Sequence, residues 1–463
     1  MLRILRSGNA VDFSDTGTGK TYVAAWCAKQ MGLPTLAVVP KIAVTSWHRA
    51  AQHFGDEISV VGYEALRTGR TPYGSWDNNP PPGFTNEKWF KCTVCQCAVD
   101  LEDSRPCPHH SLGIHCVETK KKKWDYGKFT LNSALGLVVF DEVHRAGAIK
   151  SLNSEIYVAA RRQGIRTLGL SATAASGPLQ MRAMGYSIGL HSLMNFYTWS
   201  RRYGCGKIEG LRGWHWACGA EKKKGYMAKL HREIFPEHGI RVRHEDIPNF
   251  PKRIVEARLF DLDAHDKVSR LYAEMHEATS KLDKRAELDK APDLALTILL
   301  RFRERIDLLK VPIAVELAQD FMAAGRSVGI FCNFASTLDE LSRKLKCEHI
   351  IDGRTGRRLS RQQVIDEFQA DTARLVLLNS EAGGVAVSLH DVRGEFAREG
   401  LVFSPLAART FEQLIGRFQR DGGKSLSRYT VMLAANTPEE KIYEKLKIKL
   451  AHLETLNDGD FTI

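Results

Sequence analysis

Ser14-Asp15-Thr16-Gly17-Thr18-Gly19-Lys20-Thr21 puts two glycines, a lysine and several hydroxyls on one short stretch. Such a loop suits a triphosphate, because small residues let backbone N–H groups approach phosphate oxygens and a following helix adds partial positive charge. Its last three positions fit the pattern G-x-x-x-x-G-K-[ST], while Ser14 stands where the first glycine is expected. Thr16, Gly17, Thr18 and Gly19 would wrap the phosphates, Lys20 would contact the β- and γ-phosphates, and the Thr21 hydroxyl would ligate Mg²⁺. A second pair, Asp141-Glu142, ends the apolar run LGLVVFDE. Asp141 would hold the metal, and Glu142 would orient or deprotonate the attacking water.

The stretch CTVCQCAVDLEDSRPCPHH carries a different chemistry. Cys92 and Cys95 form one knuckle, and Cys107 and His110 a second, a spacing that suits tetrahedral Zn²⁺. Cys97, His109, His115 and Cys116 are spare ligands. A loop with little core gains folding energy from metal, so the site reads equally as a structural clip or a nucleic-acid grip. Lys120 to Lys123 beside it would meet phosphates or simply form a solvated face. Cys205, His215 and Cys218 lack paired-knuckle spacing, and the aromatic and basic residues over 199–218 read as packing before base stacking.

These groups need elements to position them. Residues 10–13, 34–40, 58–63, 135–142 and 166–173 read as buried strands, with a helix over 20–32 opened by the Gly-rich loop. Residues 327–334, 347–352, 373–379, 400–404 and 427–435 read as a second set. Apolar strands alternating with helices predict an α/β fold in two parts, with parallel sheets covered on both faces and ligands at the strands' carboxyl ends. The expected boundaries are 1–190 for the first lobe, interrupted by a zinc-binding insertion over 70–128; 191–324 for an irregular, partly helical bridge; and 325–463 for the second lobe.

The chain has 463 residues, enough for two to three domains with their own cores. Lys and Arg number 66 against 54 Asp and Glu, a net charge of +12 that favours a polyanionic partner. No apolar run approaches the roughly 20 residues that cross a bilayer. No membrane is therefore expected, and the location is expected to be cytoplasmic or nucleoid-associated, where the ten cysteines stay reduced.

In order along the chain, further segments carry a resemblance. Asp141-Glu142-Val143-His144 resembles the DExH box of superfamily-2 helicases and translocases. VVPKIAVTSWHRA (38–50) is similar to motif Ia in its Swi/Snf-type form, and VVGYEALRTG (60–69) to the tyrosine-containing segment that follows. Ser171-Ala172-Thr173 matches the SAT motif. Residues 235–259 resemble the bridge before the second lobe, and NSEAGGVAVSLHD (379–391) resembles motif V. EQLIGRFQR (412–420) fits motif VI, and the spacing around it also resembles strawberry-notch-type and phage-encoded helicases.

The resemblance implies two RecA-like lobes, with Gln413, Arg417 and Arg420 facing the nucleotide from the second and the arginines acting as fingers on the γ-phosphate. It implies that His144, Ser171 and Thr173 couple hydrolysis to lobe movement. The activity expected is an ATP-dependent helicase or double-stranded DNA translocase using ATP and Mg²⁺. Duplex DNA is favoured over single strands, with RNA as an alternative substrate. A nucleic-acid-binding scaffold with a relic ATPase site is the competing class. The family's adenine-recognising Q-motif lies well upstream of the phosphate loop, whereas thirteen residues precede Ser14 here. How the base is held is left open by the motifs.

Overall fold

The computed structural model describes residues 1–463 except 56, 77–82, 93–97, 100–115, 126–127, 173–174, 209–212, 263–266, 269, 272, 275–290, 355–356, 381–386, 406–407, 438 and 440–463. Two six-stranded sheets organise the chain. The first is built from β1 (Ala10–Asp12), β2 (Thr35–Val39), β3 (Ser59–Gly62), β4 (Leu137–Asp141), β5 (Arg166–Leu170) and β6 (Gly239–Ile240). Their order is β6-β1-β5-β4-β2-β3, and each neighbouring pair is parallel.

Parallel strands buried on both faces need continuous apolar runs, and the sequence supplies them. Val11, Val38, Val138 and Phe140 pack into one core, whereas Ala37, Val39, Leu137, Val139 and Leu168 pack into the other. Helix α1 (Lys20–Met31) follows β1 and α2 (Val44–Phe54) follows β2. Both end on glycines in the left-handed region, Gly32 and Gly55, which stop a helix without the clash a Cβ would bring.

The second sheet contains β7 (Arg253–Phe260), β8 (Ser327–Cys332), β9 (Ile350–Ile351), β10 (Leu375–Asn379), β11 (Arg398–Phe403) and β12 (Ser427–Ala434). Its order is β7-β12-β11-β8-β10-β9, again with parallel pairs throughout. Helices α3 (Ala291–Ala323), α4 (Ala335–Leu345), α5 (Arg361–Gln369) and α6 (Ala408–Ile415) accompany it. Inside α3, Lys310 is fully buried, and it bonds Asp307 at 2.8 Å and Glu439 at 3.0 Å, so its charge is compensated where no water reaches. The α/β fold and its two parallel sheets thus agree with the alternation read from the sequence.

The stretch expected as an irregular, partly helical bridge supplies an edge strand to each sheet, β6 to the first and β7 to the second. Short edge strands such as β6 carry too few residues to show a period, which is why the sequence reads as irregular there. Between β3 and β4, Gly83–Cys92, Ala98–Val99 and Cys116–Asp125 form a small antiparallel sheet of their own, within the segment read as an insertion. The aromatic run at 199–218 packs as expected. Trp199 and Tyr203 are buried in the first core, and the Trp216 indole donates to the Tyr203 carbonyl at 2.7 Å.

Candidate nucleotide site between the lobes

Three neighbouring strands end together. Asp12 lies in register with Leu170, and Leu170 with Asp141. The phosphate loop, Ser171 and Asp141 therefore emerge side by side at the carboxyl edge of the first sheet, where open α/β sheets take ligands.

The loop is held from within and from behind. The Thr18 hydroxyl donates to the Asp15 carbonyl at 2.8 Å, and the Ser14 N–H donates to Asp12 Oδ1 at 2.9 Å. Lys20 Nζ donates to the carbonyls of Ser14 at 2.8 Å and Asp15 at 2.7 Å. Burial lowers the pKa of this ammonium, and the Asp12 and Glu142 carboxylates oppose that shift. Asp15 pairs with Arg241 at 2.8 Å and accepts the His244 N–H at 2.9 Å, while His244 Nε2 reaches the Thr16 carbonyl at 2.8 Å. Burial raises the Asp15 carboxyl, but Arg241 and His244 outweigh it and hold the group below its ordinary value.

Asp141 and Glu142 are fixed by partners of different kinds. The buried Trp47 indole donates to Asp141 Oδ2 at 2.8 Å, the Glu142 N–H donates to Asp141 Oδ1 at 2.9 Å, and Tyr63 Oη donates to the Asp141 carbonyl at 2.9 Å. Glu142 adopts φ 51°, a left-handed conformation that a glutamate keeps only when its surroundings impose it. His144 Nδ1 lies 3.2 Å from Glu142 Oε2 and 3.1 Å from Ser171 Oγ, linking the carboxylate to the end of β5. Burial and the neighbouring Glu142 charge push the Asp141 carboxyl up. Burial also raises Glu142, but the His144 hydrogen bond and the Lys20 and Arg417 charges hold it down, so it stays ionised. One hydroxyl and one carboxylate, Thr21 and Asp141, form a hard-oxygen donor set of the kind that holds Mg²⁺ together with phosphate and water.

The opposite wall comes from the second lobe. Gln413, buried on α6, donates through Nε2 to Glu142 Oε2 at 3.2 Å. Arg417 is buried and its Nη1 donates to the Val387 carbonyl at 3.1 Å. Arg417 and Arg420 line the same cleft as Thr16, Gly17, Gly19, Lys20, Thr21, Asp141 and Glu142, a cavity of about 490 Å³. Burial brings Arg417 down to about 9, with the Arg420 charge adding to the effect, and burial lowers Arg420 as well. Three cations packed into one partly buried cleft oppose their own ionisation, and a polyanion entering between them removes that cost.

Two glycines allow this approach. A Cβ on Gly17 would sit 2.6 Å from Arg420 Cδ and 2.9 Å from the Gln419 carbonyl, and one on Gly416 would collide with Thr16 Oγ1. Gly416→Ala is accordingly expected to lower nucleotide turnover about 10²-fold by pushing the walls apart. Adding Thr16→Gly should recover much of the loss, because it removes the atoms the new methyl strikes. Full activity in Gly416→Ala would show that this wall contact does not belong to the working arrangement.

Every sequence-predicted nucleotide-site residue among the described ones therefore reaches this cleft or the hydrogen-bonded shell around it. Thr173 lies outside the described residues, as do Cys95, Cys107 and His110. Cys92 is described as the last residue of strand Gly83–Cys92, its backbone opposite Cys116. Among the described residues no group of three or more His, Cys, Asp or Glu side chains is placed to hold a metal, and no helix is long and apolar enough to cross a membrane. The individual parts played by Trp47, Arg241 and His244 escaped the sequence reading. Trp47 lies within the segment likened to motif Ia and Arg241 and His244 within that likened to the bridge, but spacing alone does not aim their side chains.

No family model matches the chain. It is 28% identical to a protein of Acanthamoeba polyphaga mimivirus named "Putative ATP-dependent RNA helicase", over 97% of this chain and 80% of that protein. This likeness supports the superfamily-2 helicase resemblance carried by the motifs, without extending to its Swi/Snf-type subdivision. Among solved structures, S. cerevisiae Dbp5 bound to RNA and ADP BeF3 aligns with a TM-score of 0.47 and 11% identity, over 96% of this chain and 83% of that one. A point variant of the same yeast protein with the same ligands aligns at TM-score 0.43 and 10% identity, over 96% and 89%.

Proposed function

We propose that the chain is an ATP-dependent motor of the superfamily-2 helicase type that acts on RNA. The observation that carries the proposal is the two-walled cleft, with Lys20, Thr21, Asp141 and Glu142 on one side and Gln413, Arg417 and Arg420 on the other. A γ-phosphate bound there is contacted from both lobes. Its loss on hydrolysis withdraws the charge that draws the arginines inward, so the chemical step alters the force between the lobes. Nucleic acid lying across both lobes would then be moved along its backbone, mostly through phosphate contacts. Mg²⁺ held by Thr21 and Asp141 would neutralise charge on the phosphates, and Glu142 would orient water.

The mimivirus relative's name favours RNA, and nothing in that likeness favours the duplex DNA expected from the Swi/Snf-like segments. ATPase rate measured against single-stranded RNA, duplex RNA, single-stranded DNA and duplex DNA tests this directly. RNA is expected to stimulate turnover more than either DNA. Stimulation by duplex DNA alone would restore the translocase reading, and a chain inactive with every polymer would favour a scaffold.

Zinc in the segment around Cys92, Cys95, Cys107 and His110 belongs to the same proposal. Elemental analysis of protein never exposed to chelator is expected to return about one zinc per chain. A value near zero would remove the site.

A further inference from the structure

The phosphate loop, Asp141, Glu142 and the arginines would address phosphate, metal or water, and the nucleoside end of the ligand still needs a surface. Resting on the nucleotide reading of the cleft, we propose that Tyr22 is the platform on which the nucleobase stacks. Tyr22 directly follows Lys20 and Thr21 on α1, and its side chain lines the same cleft as theirs. Among the described residues lining the cleft, it is the one aromatic ring from the first lobe; the other, the half-buried His390 imidazole, comes from the second. It is 46% exposed, so part of the ring is open to a ligand.

The ring is held without being covered. His53 meets it at 5.5 Å with an interplanar angle of 84°, and Phe54 at 6.3 Å and 71°. Both are edge-to-face contacts from the end of α2, and they fix the ring's tilt while leaving nearly half of the side chain in solvent. Trp26, one turn further along the same helix, is 41% exposed but does not border the cleft, so it offers no competing platform. A stacked ring reads the flat face that every base possesses rather than the hydrogen-bonding edge. Tyr22 would therefore add affinity for adenine and guanine nucleotides alike, and none for phosphate chains lacking a base.

Equilibrium binding of ATP, GTP and inorganic tripolyphosphate to the full chain and to Tyr22→Ala and Tyr22→Phe separates the possibilities. Tyr22→Ala is expected to weaken ATP and GTP by a common factor on the order of tenfold. Tripolyphosphate affinity should not change, and Tyr22→Phe should bind all three like the original chain. An equal loss for tripolyphosphate would mean that Tyr22 supports the loop rather than the base, and unchanged ATP affinity in Tyr22→Ala would also overturn the proposal. If the unaltered chain binds tripolyphosphate as tightly as ATP, the platform is refuted while the phosphate cleft stands. Binding of neither ligand would overturn both.

Discussion

Glu142→Gln is expected to lower ATP turnover by about 10³-fold, within the range that loss of a general base produces. The amide keeps the shape of the carboxylate and an oxygen for Gln413 Nε2, so the 3.2 Å contact across the cleft can persist. What disappears is the negative charge that polarises water. Removing that charge also removes a repulsion toward incoming phosphates, so the variant should bind nucleotide as tightly as the original chain or more tightly. Single-turnover hydrolysis paired with equilibrium binding distinguishes this from a folding defect. Turnover that survives within a few-fold would take Glu142 out of the chemical step.

Arg420→Ala should match that loss in turnover by a different route. A guanidinium placed on a departing γ-phosphoryl group contributes about 10³- to 10⁵-fold to turnover. Arg420 lies against Gly17 in the phosphate loop, and it borders the cavity shared with Lys20. Its buried Nε makes no hydrogen bond among the described residues. The effect should fall on kcat rather than on nucleotide affinity. Arg420→Lys should recover only part of it, because an ammonium keeps the charge and loses the planar fork. Arg417 is a less clean target, since its Nη1 also ties the backbone at Val387 and truncation there would disturb packing. Arg420→Ala with unaltered kcat would take Arg420 out of the catalytic step.

Much of this site is legible in the amino-acid sequence. Lys20, Thr21, Asp141 and Glu142 announce themselves because each ends or follows a strand whose apolar run is unmistakable, and the observed strands fall within a few residues of the expected ones. Gln413, Arg417 and Arg420 were reached only through resemblance, since a basic helix face is common in a chain this rich in arginine. Less was legible where an interaction depends on aim rather than order. Trp47 looks like any apolar residue of an amphipathic helix until its indole is seen on Asp141. Gly416 is a helix-adjacent glycine until Thr16 is found against it. The strand β6 has two residues, too few to alternate, and its pairing with β1 is a long-range contact that local pattern cannot encode.

The anchoring of the segment after β6 sets a limit on how far the molecule can spread. His244 is fastened to Asp15 and Thr16 beside the phosphates, and Arg253 begins a strand zipped along Ser427 to Ala434. Between these two fixtures runs a leash of about nine residues, whose fully stretched span is roughly 30 Å. The two sheets cannot drift beyond that reach unless one fastening lets go.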